Sequence, residues 1–226
     1  MIGVDVEIKN NKIIKKKFFN NKNKILKLRI KNYFCYIIGD IYENKSELFS
    51  SIDTFLRKKK YKQLSNFNGE YFIYIKKKNK LIIVNSKNSY IPIFYNFSKK
   101  NLYLKSNLLK FDKIFYKKIN FNKIAEWFLF NGRSFDNQTF LKDVNVLDPG
   151  QVCIFKHNKV RNYFCKPFSY TKKSNLNESE NIDNVLKSLK YAINLRLNKN
   201  KKKVSFALSG GLDSRILLSL IDKNNK

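Results

Sequence analysis

Residues 68–84 read NGEYFIYIKKKNKLIIV. Two apolar runs, 71–75 and 81–84, are built from Tyr, Phe, Ile, Leu and Val and flank a Lys/Asn stretch. β-Branched and aromatic residues favour strands, and a polar Lys/Asn break between two such runs marks a turn. The spacing predicts a β-hairpin.

The same pattern extends in both directions. Residues 91–95 and 102–104 make a second strand pair around 96–101, and 152–155 and 160–164 a third, turning at His157-Asn158. Residues 33–38 are a dense apolar run, expected to be a buried strand ending at Gly39. From 4 to 30, short apolar stretches alternate with Asn and Lys and predict hairpins with turns at Asn10-Asn11 and 20–23. Two helices interrupt the strands. Residues 46–56 place Leu48, Ile52, Phe55 and Leu56 on one face behind Ser46 as N-cap, and 122–130 place Ile124, Trp127 and Phe128 at helical spacing. Together they predict an α+β domain rich in antiparallel strands over 1–168.

The texture changes at 166–177, where Pro167, Ser, Thr, Lys and Asn read as a linker, bounded here as 169–178. A helix is expected over 179–197, with Ile182, Val185, Leu186, Leu189, Ala192, Ile193 and Leu197 as a core-facing stripe. Residues 204–208 then predict a short buried strand, 209–214 a glycine loop and 215–221 a helix, the opening of an α/β nucleotide-binding domain over 179–226.

That loop is Ser209-Gly210-Gly211-Leu212-Asp213-Ser214. Gly210 and Gly211 have no Cβ to keep phosphate oxygens from the backbone N–H groups. Ser209 and Ser214 add hydroxyl donors, and the following helix turns its positive end to the anion. Asp213 would repel phosphate unless a cation lies between them, so it is assigned to Mg²⁺, which favours carboxylate and phosphate oxygens. No Gly-Lys-Ser/Thr follows, so the loop is not a Walker A motif.

The formal charge is +30. Such a charge suits nucleic acid or an anionic surface. Only six of the 47 basic residues are Arg, however, and Lys, Asn, Ile, Phe and Tyr are all abundant, as an AT-rich genome would produce. The lysines fall in short turn-like runs at 15–17, 58–60, 76–78 and 201–203. The charge is therefore read as compositional, without a nucleic-acid partner. Cys35, Cys153 and Cys165 have no Cys-x-x-Cys spacing and are expected to pack in the interior; His157 is alone. Unpaired thiols fit a reducing compartment, and no apolar run approaches the roughly 20 residues a membrane span needs. The N-terminus lacks a basic stretch followed by an apolar one, so a cytoplasmic location is expected.

The hexapeptide resembles the signature of the PP-loop ATP pyrophosphatases. Upstream segments resemble the class II glutamine amidotransferase domain of asparagine synthetases. Gly39-Asp40-Ile41-Tyr42 is similar to N-G-E-I-Y-N, Phe67-Asn68-Gly69-Glu70-Tyr71-Phe72 to L-N-G-x-F-A, and Ile91-Pro92-Ile93-Phe94-Tyr95 to K-P-L-Y-Y. Residues 102–109 resemble L-x-F-A-S-E through Ser106, and Thr139-Phe140, Val144 and Leu147-Asp148-Pro149-Gly150 resemble T-x-F-x-x-I-x-x-L-x-P-G. With Arg215 after the loop, the chain looks like the divergent asparagine synthase-related branch.

The resemblance implies an Ntn-hydrolase-like N-terminal domain and a carbon–nitrogen ligase that adenylates a small carboxylate with ATP and Mg²⁺. It assigns Leu208, Ser209, Gly210, Gly211, Asp213 and Ser214 to ATP and pyrophosphate, with Asp213 on Mg²⁺. The family's N-terminal Cys nucleophile is replaced by Ile2, and Ile38 occupies the place of its oxyanion-hole Asn. Glutaminase activity is therefore expected to be lost, leaving ammonia or an amine as the nitrogen source. The sequence stops at Lys226, before the further βα units of a doubly wound sheet, so a fragment, a split subunit completed by a second chain, or a relic is expected. A non-catalytic docking module and a PP-loop tRNA-modifying enzyme are the alternative readings.

Overall fold

Strands β5 (Gly69–Lys77) and β6 (Lys80–Asn85) form the hairpin read from 68–84, and they sit at the centre of a six-stranded sheet. The computed structural model describes residues 3–9, 12–19, 25–78, 80–88, 91–98, 101–111, 118–132, 135–156, 159–165, 175–199 and 207–221. The chain divides into two units, Met1–Pro167 and Phe168–Lys226.

In the first unit, β3 (Ile25–Ile30) and β4 (Tyr33–Ile41) flank the central hairpin on one side, and β10 (Gln151–Lys156) and β11 (Lys159–Phe164) on the other. The order is β11-β10-β6-β5-β4-β3, with every neighbour antiparallel. A second sheet runs β2-β1-β8-β7-β9, from β1 (Gly3–Lys9), β2 (Lys12–Phe19), β7 (Phe94–Ser98), β8 (Asn101–Lys105) and β9 (Asn145–Val146). This unit is α+β with antiparallel sheets.

The central strands are apolar without alternation because both of their faces are covered. Phe72, Tyr74, Leu81 and Ile83 pack against Val4, Val6, Leu102 and Leu104 of the five-stranded sheet. Tyr71, Ile73, Ile82 and Val84 face the other way, under α1 (Lys45–Arg57) and the 3₁₀ turn Tyr61–Ser65. Leu48, Ile52 and Leu56 of α1 are buried there, each worth about 1.5–3 kcal/mol of apolar burial.

Several expectations are corrected. Strand β4 does not stop at Gly39 but runs through it to Ile41, because Gly39 pairs with Tyr71 and its φ of 109° bends the strand without ending it. Ser46 lies inside α1; the N-cap is Asn44, whose side chain makes no capping bond. β1 and β2 are a hairpin, but β3 pairs with β4 in the other sheet. Ile91 and Ile93 precede β7 and are core residues outside any strand. Helix α2 (Phe121–Leu129) forms, yet Trp127, Phe128 and Leu129 are exposed.

The second unit contains α3 (Glu178–Lys199) and α4 (Leu212–Ser219). Within the expected core-facing stripe of α3, Ile182, Val185 and Leu186 are exposed, whereas Leu189, Ala192, Ile193 and Leu197 are partly buried. Most of the strand expected at 204–208 lies outside the described residues; Leu208 is 59% exposed and in no strand. No described helix is long and apolar enough to cross a membrane.

Candidate functional site

The sequence segments singled out upstream meet in space. Gly39-Asp40-Ile41 of β4 lies directly opposite Gly69-Glu70-Tyr71 of β5, pairing Gly39 with Tyr71, Asp40 with Glu70 and Ile41 with Gly69. Both glycines have positive φ, 109° and 139°. A Cβ on Gly39 would lie 2.3 Å from the Glu70 carbonyl oxygen, and one on Gly69 would lie 2.1 Å from that of Asp40. The backbones approach so closely that only glycine fits.

Ser106 is tied to the first strand. Its Oγ accepts from the Val4 N–H at 3.1 Å, and its own N–H donates to the Val4 carbonyl at 2.8 Å. The 139–150 segment closes on the same region. Leu147 N–H donates to Ile93 O at 2.7 Å, and Asn85 Nδ2 donates to the carbonyls of Leu147 and Asp148 at 3.1 and 3.3 Å. Thr139 Oγ1 donates to Val144 O at 2.7 Å, which holds that loop in shape.

No nucleophile is presented there among the described residues. Ile2 and His157 lie outside them. Ile38 points into the core between the sheets, 1% exposed, so it offers no donor where the resemblance expects an oxyanion-hole amide. Cys35 sits in the α1-side core and Cys153 between the sheets, and burial pushes both thiols up to about 12. A thiol held that high is not a nucleophile at neutral pH.

Cys165 departs from the expected interior packing: it is only partly buried, with Sγ 2.8 Å from Asn66 Oδ1. Iodoacetamide at pH 8 should therefore modify Cys165 in the native chain, and all three cysteines only after unfolding, as intact mass will show. Rapid native labelling at three sites would contradict the burial. The sign of the linkage follows. A raised thiol pKa favours the folded state while the unfolded thiol stays protonated, so this contribution is complete below about 9 and is lost as pH climbs from there towards 12.

A cluster that the sequence reading did not name lies on the outer face of the five-stranded sheet. Lys105 Nζ is 2.7 Å from Glu7 Oε1 and 3.8 Å from Asp5 Oδ1, and it also donates to Lys110 O at 2.8 Å. Lys15 pairs with Asp5 Oδ2 at 2.7 Å. A signal for it exists in the sequence: in Val4-Asp5-Val6-Glu7-Ile8 the charges alternate with apolar residues, which places both carboxylates on one face.

In the second unit, Ser209, Gly210, Gly211, Asp213 and Ser214 stay together at the start of α4. Gly210 has φ 76°, and a Cβ added there would meet nothing within 4 Å, so glycine serves the turn while the approach from solvent stays open. Ser209 Oγ donates to Ser214 Oγ at 3.3 Å and accepts from Gly211 N at 3.4 Å. Ser214 Oγ lies 3.0 Å from Gly211 O, and Arg215 Nη2 donates to Gly210 O at 2.7 Å. The first N–H groups of α4 have no intrahelical partner. Hydroxyls, open N–H groups and a helix N-terminus form a donor set that suits a polyphosphate. Asp213 is one carboxylate, and no group of three metal-ligating side chains occurs among the described residues. A single carboxylate could hold Mg²⁺ only jointly with phosphate oxygens and water.

Comparison with models of protein families and with curated proteins finds no match. Among solved structures, the chain is similar over 62% of its length to the glutamine phosphoribosylpyrophosphate amidotransferase from B. subtilis complexed with ADP and GMP. The TM-score is 0.36 and the identity 11%. It is similar over 62% of its length, with TM-score 0.37 and 12% identity, to a structure described as the allosteric regulatory enzyme of purine biosynthesis. The matched part spans 31% and 30% of those two chains.

Proposed function

We propose that the chain is the amidotransferase-like and ATP-loop portion of an asparagine-synthetase-like, amide-forming ligase acting in the cytoplasm. The observation that carries this reading is the Ser209–Ser214 loop, with its paired hydroxyls at the N-terminus of α4. Upstream support comes from the pairing of the Gly39 and Gly69 segments and from the Val4–Ser106 hydrogen bonds.

In this reading Gly210, Gly211, Ser209 and Ser214 hold the phosphates, Leu208 leads the chain into the loop, and Asp213 shares Mg²⁺ with them. ATP, when bound, supplies the adenylyl group that activates a small carboxylate, with pyrophosphate as the leaving group. Ammonia or an amine takes the place of glutamine nitrogen, because Ile2 stands where the family carries its N-terminal Cys nucleophile. A second chain completing the ligase domain is the partner this reading implies.

Titration calorimetry of the full chain with ATP and Mg²⁺ tests it. Ser209→Ala or Asp213→Asn should weaken binding about 10–100-fold, the equivalent of one hydrogen bond to a charged group, about 1.5–3 kcal/mol. Binding that is absent, or is indifferent to both substitutions, would overturn the assignment. Glutamate release from glutamine should stay at background.

A further inference from the structure

The lysine runs that look scattered along the sequence are gathered by the fold. The hairpins β3–β4, β5–β6 and β10–β11 all turn at the same end of the six-stranded sheet, since Ile30 pairs with Tyr33, Lys77 with Lys80, Lys156 with Lys159 and Lys80 with Lys156. The turn after α1 brings Lys59 to the same place. Two adjoining cavities of about 570 and 470 Å³ open there and share Lys59, Tyr61, Lys80 and Lys156. Nine of the sixteen residues around them are Lys or Arg, against 47 of 226 in the whole chain. The single acid, Asp53, is engaged by Arg57 at 2.9 Å. Lys31, Lys59, Lys78, Lys156 and Lys159 make no ion pair among the described residues.

Two features show a prepared surface rather than a solvated fringe. Lys80 Nζ is hydrogen-bonded to the Tyr61 hydroxyl at 2.6 Å and stands 4.3 Å from that ring, while Lys77 stands 4.7 Å from the Tyr33 ring. These cations are held in place before any ligand arrives, which lowers the entropy cost of binding. Lys31, Lys59 and Lys78 adopt φ of 51°, 55° and 34°, where Gly or Asn is the usual residue, and all three line the first cavity. Burial and the neighbouring Lys77 and Lys59 press the Lys80 pKa downward, as expected where cations crowd without counter-charge.

We propose that this end of the sheet binds the phosphate backbone of a single-stranded nucleic acid laid across the three hairpin turns. Six strands at about 4.8 Å spacing put roughly 24 Å between the outer strands, a length that matches a run of phosphates. A lone phosphate or mononucleotide would engage one turn and leave the others uncompensated. Tyr33 and Tyr163, both partly exposed, stand between the cations, the interleaving that single-strand binders use. The site lies within the first unit.

The test is fluorescence anisotropy of the full chain with a labelled mixed-sequence single-stranded RNA, titrated across salt concentrations. The groove variant carries Lys59→Gln, Lys78→Gln, Lys156→Gln and Lys159→Gln. A control of equal net charge carries Lys9→Gln, Lys12→Gln, Lys187→Gln and Lys190→Gln. The groove variant should lose at least about tenfold in affinity at ~0.1 M salt. Its log–log salt slope should flatten by about 3, or about 0.7 for each phosphate that is no longer neutralised. The control should stay close to wild type. Should the fourfold variant melt early, the exposed cross-strand pair Lys156→Gln and Lys159→Gln is read in its place. Equal losses in the two variants would reduce the binding to net charge and overturn the proposal. So would absent binding by the wild type at ~0.1 M salt, or equally effective competition by a mononucleotide. Binding to phosphatidylserine vesicles that depends on the groove lysines, with RNA binding unchanged, would also overturn it.

Discussion

Gly69→Ala should destabilise the first unit by about 3–5 kcal/mol, and Gly39→Ala by a similar amount, read as the shift in a urea unfolding curve. The added Cβ of Gly69 would sit 2.1 Å from the Asp40 carbonyl oxygen, and the obstructing atom is backbone in the middle of a sheet. Relief requires β4 and β5 to separate, and these strands carry Ile37, Ile38, Phe72 and Ile73, all at most 1% exposed. Overpacking of a tight interior costs about 1–3 kcal/mol, and a φ of 139° adds a further penalty of about 1–3 kcal/mol for a residue with a side chain. Gly132→Ala is the matched control. Its φ is also positive, 82°, but the nearest atoms to the new Cβ would be those of the Trp127 ring at 3.5 Å, an ordinary contact. Its loss should be near 1 kcal/mol, roughly the cost of backbone conformation alone. If Gly69→Ala and Gly132→Ala unfold at the same urea concentration, the close approach of the two strands is wrong.

Those two glycines of the paired strands also show where the sequence is legible and where it is not. The strands themselves can be read from composition, because Tyr, Phe, Ile and Val in runs of four to six between Lys/Asn breaks have few other outcomes. Gly39 reads as a strand terminus since glycine usually punctuates. Its role as a pairing residue depends on Glu70 and Tyr71, about thirty residues away, and no local pattern carries that information. Ser46 has the chemistry of a good N-cap, but Asn44 starts α1 and the backbone enters the helix without a side-chain bond. The α3 stripe is truly periodic, yet periodicity says which residues share a face and not what covers it.

Charge is the feature least legible along the chain. Each Lys run reads as an ordinary turn, and only the common direction of three hairpins puts Lys31, Lys78 and Lys156 at one end of one sheet. The loop at 209–214 is the opposite case. The polyphosphate site proposed there is argued from six adjacent residues, to which the fold adds local distances.

The buried ion cluster yields the second large effect: Lys105→Met should cost about 3–5 kcal/mol, the penalty for removing one partner of a buried pair. The Lys105 side chain is 3% exposed, and its ammonium lies 2.7 Å from Glu7, which is itself 12% exposed. Asp5 keeps Lys15 at 2.7 Å, so Glu7 is the group left with an uncompensated charge. The Lys110 carbonyl is deprived of a donor as well. Adding Glu7→Gln to Lys105→Met should therefore recover a large part of the loss, because it removes the orphaned charge while keeping the shape. A double-mutant cycle measured by urea unfolding should return a coupling energy of about 1–3 kcal/mol between the two positions, whereas Lys105 with the distant Arg57 should be additive. Additive effects at Lys105 and Glu7 would mean that the ammonium is held by packing against Phe111 and by the Lys110 carbonyl, and that the carboxylates contribute little. The expected coupling instead makes β1 and β8 one electrostatic unit. Asp5 opposite Lys105 then fixes the register in which Val4 meets Ser106, and with it the position of the first strand against the rest of the sheet.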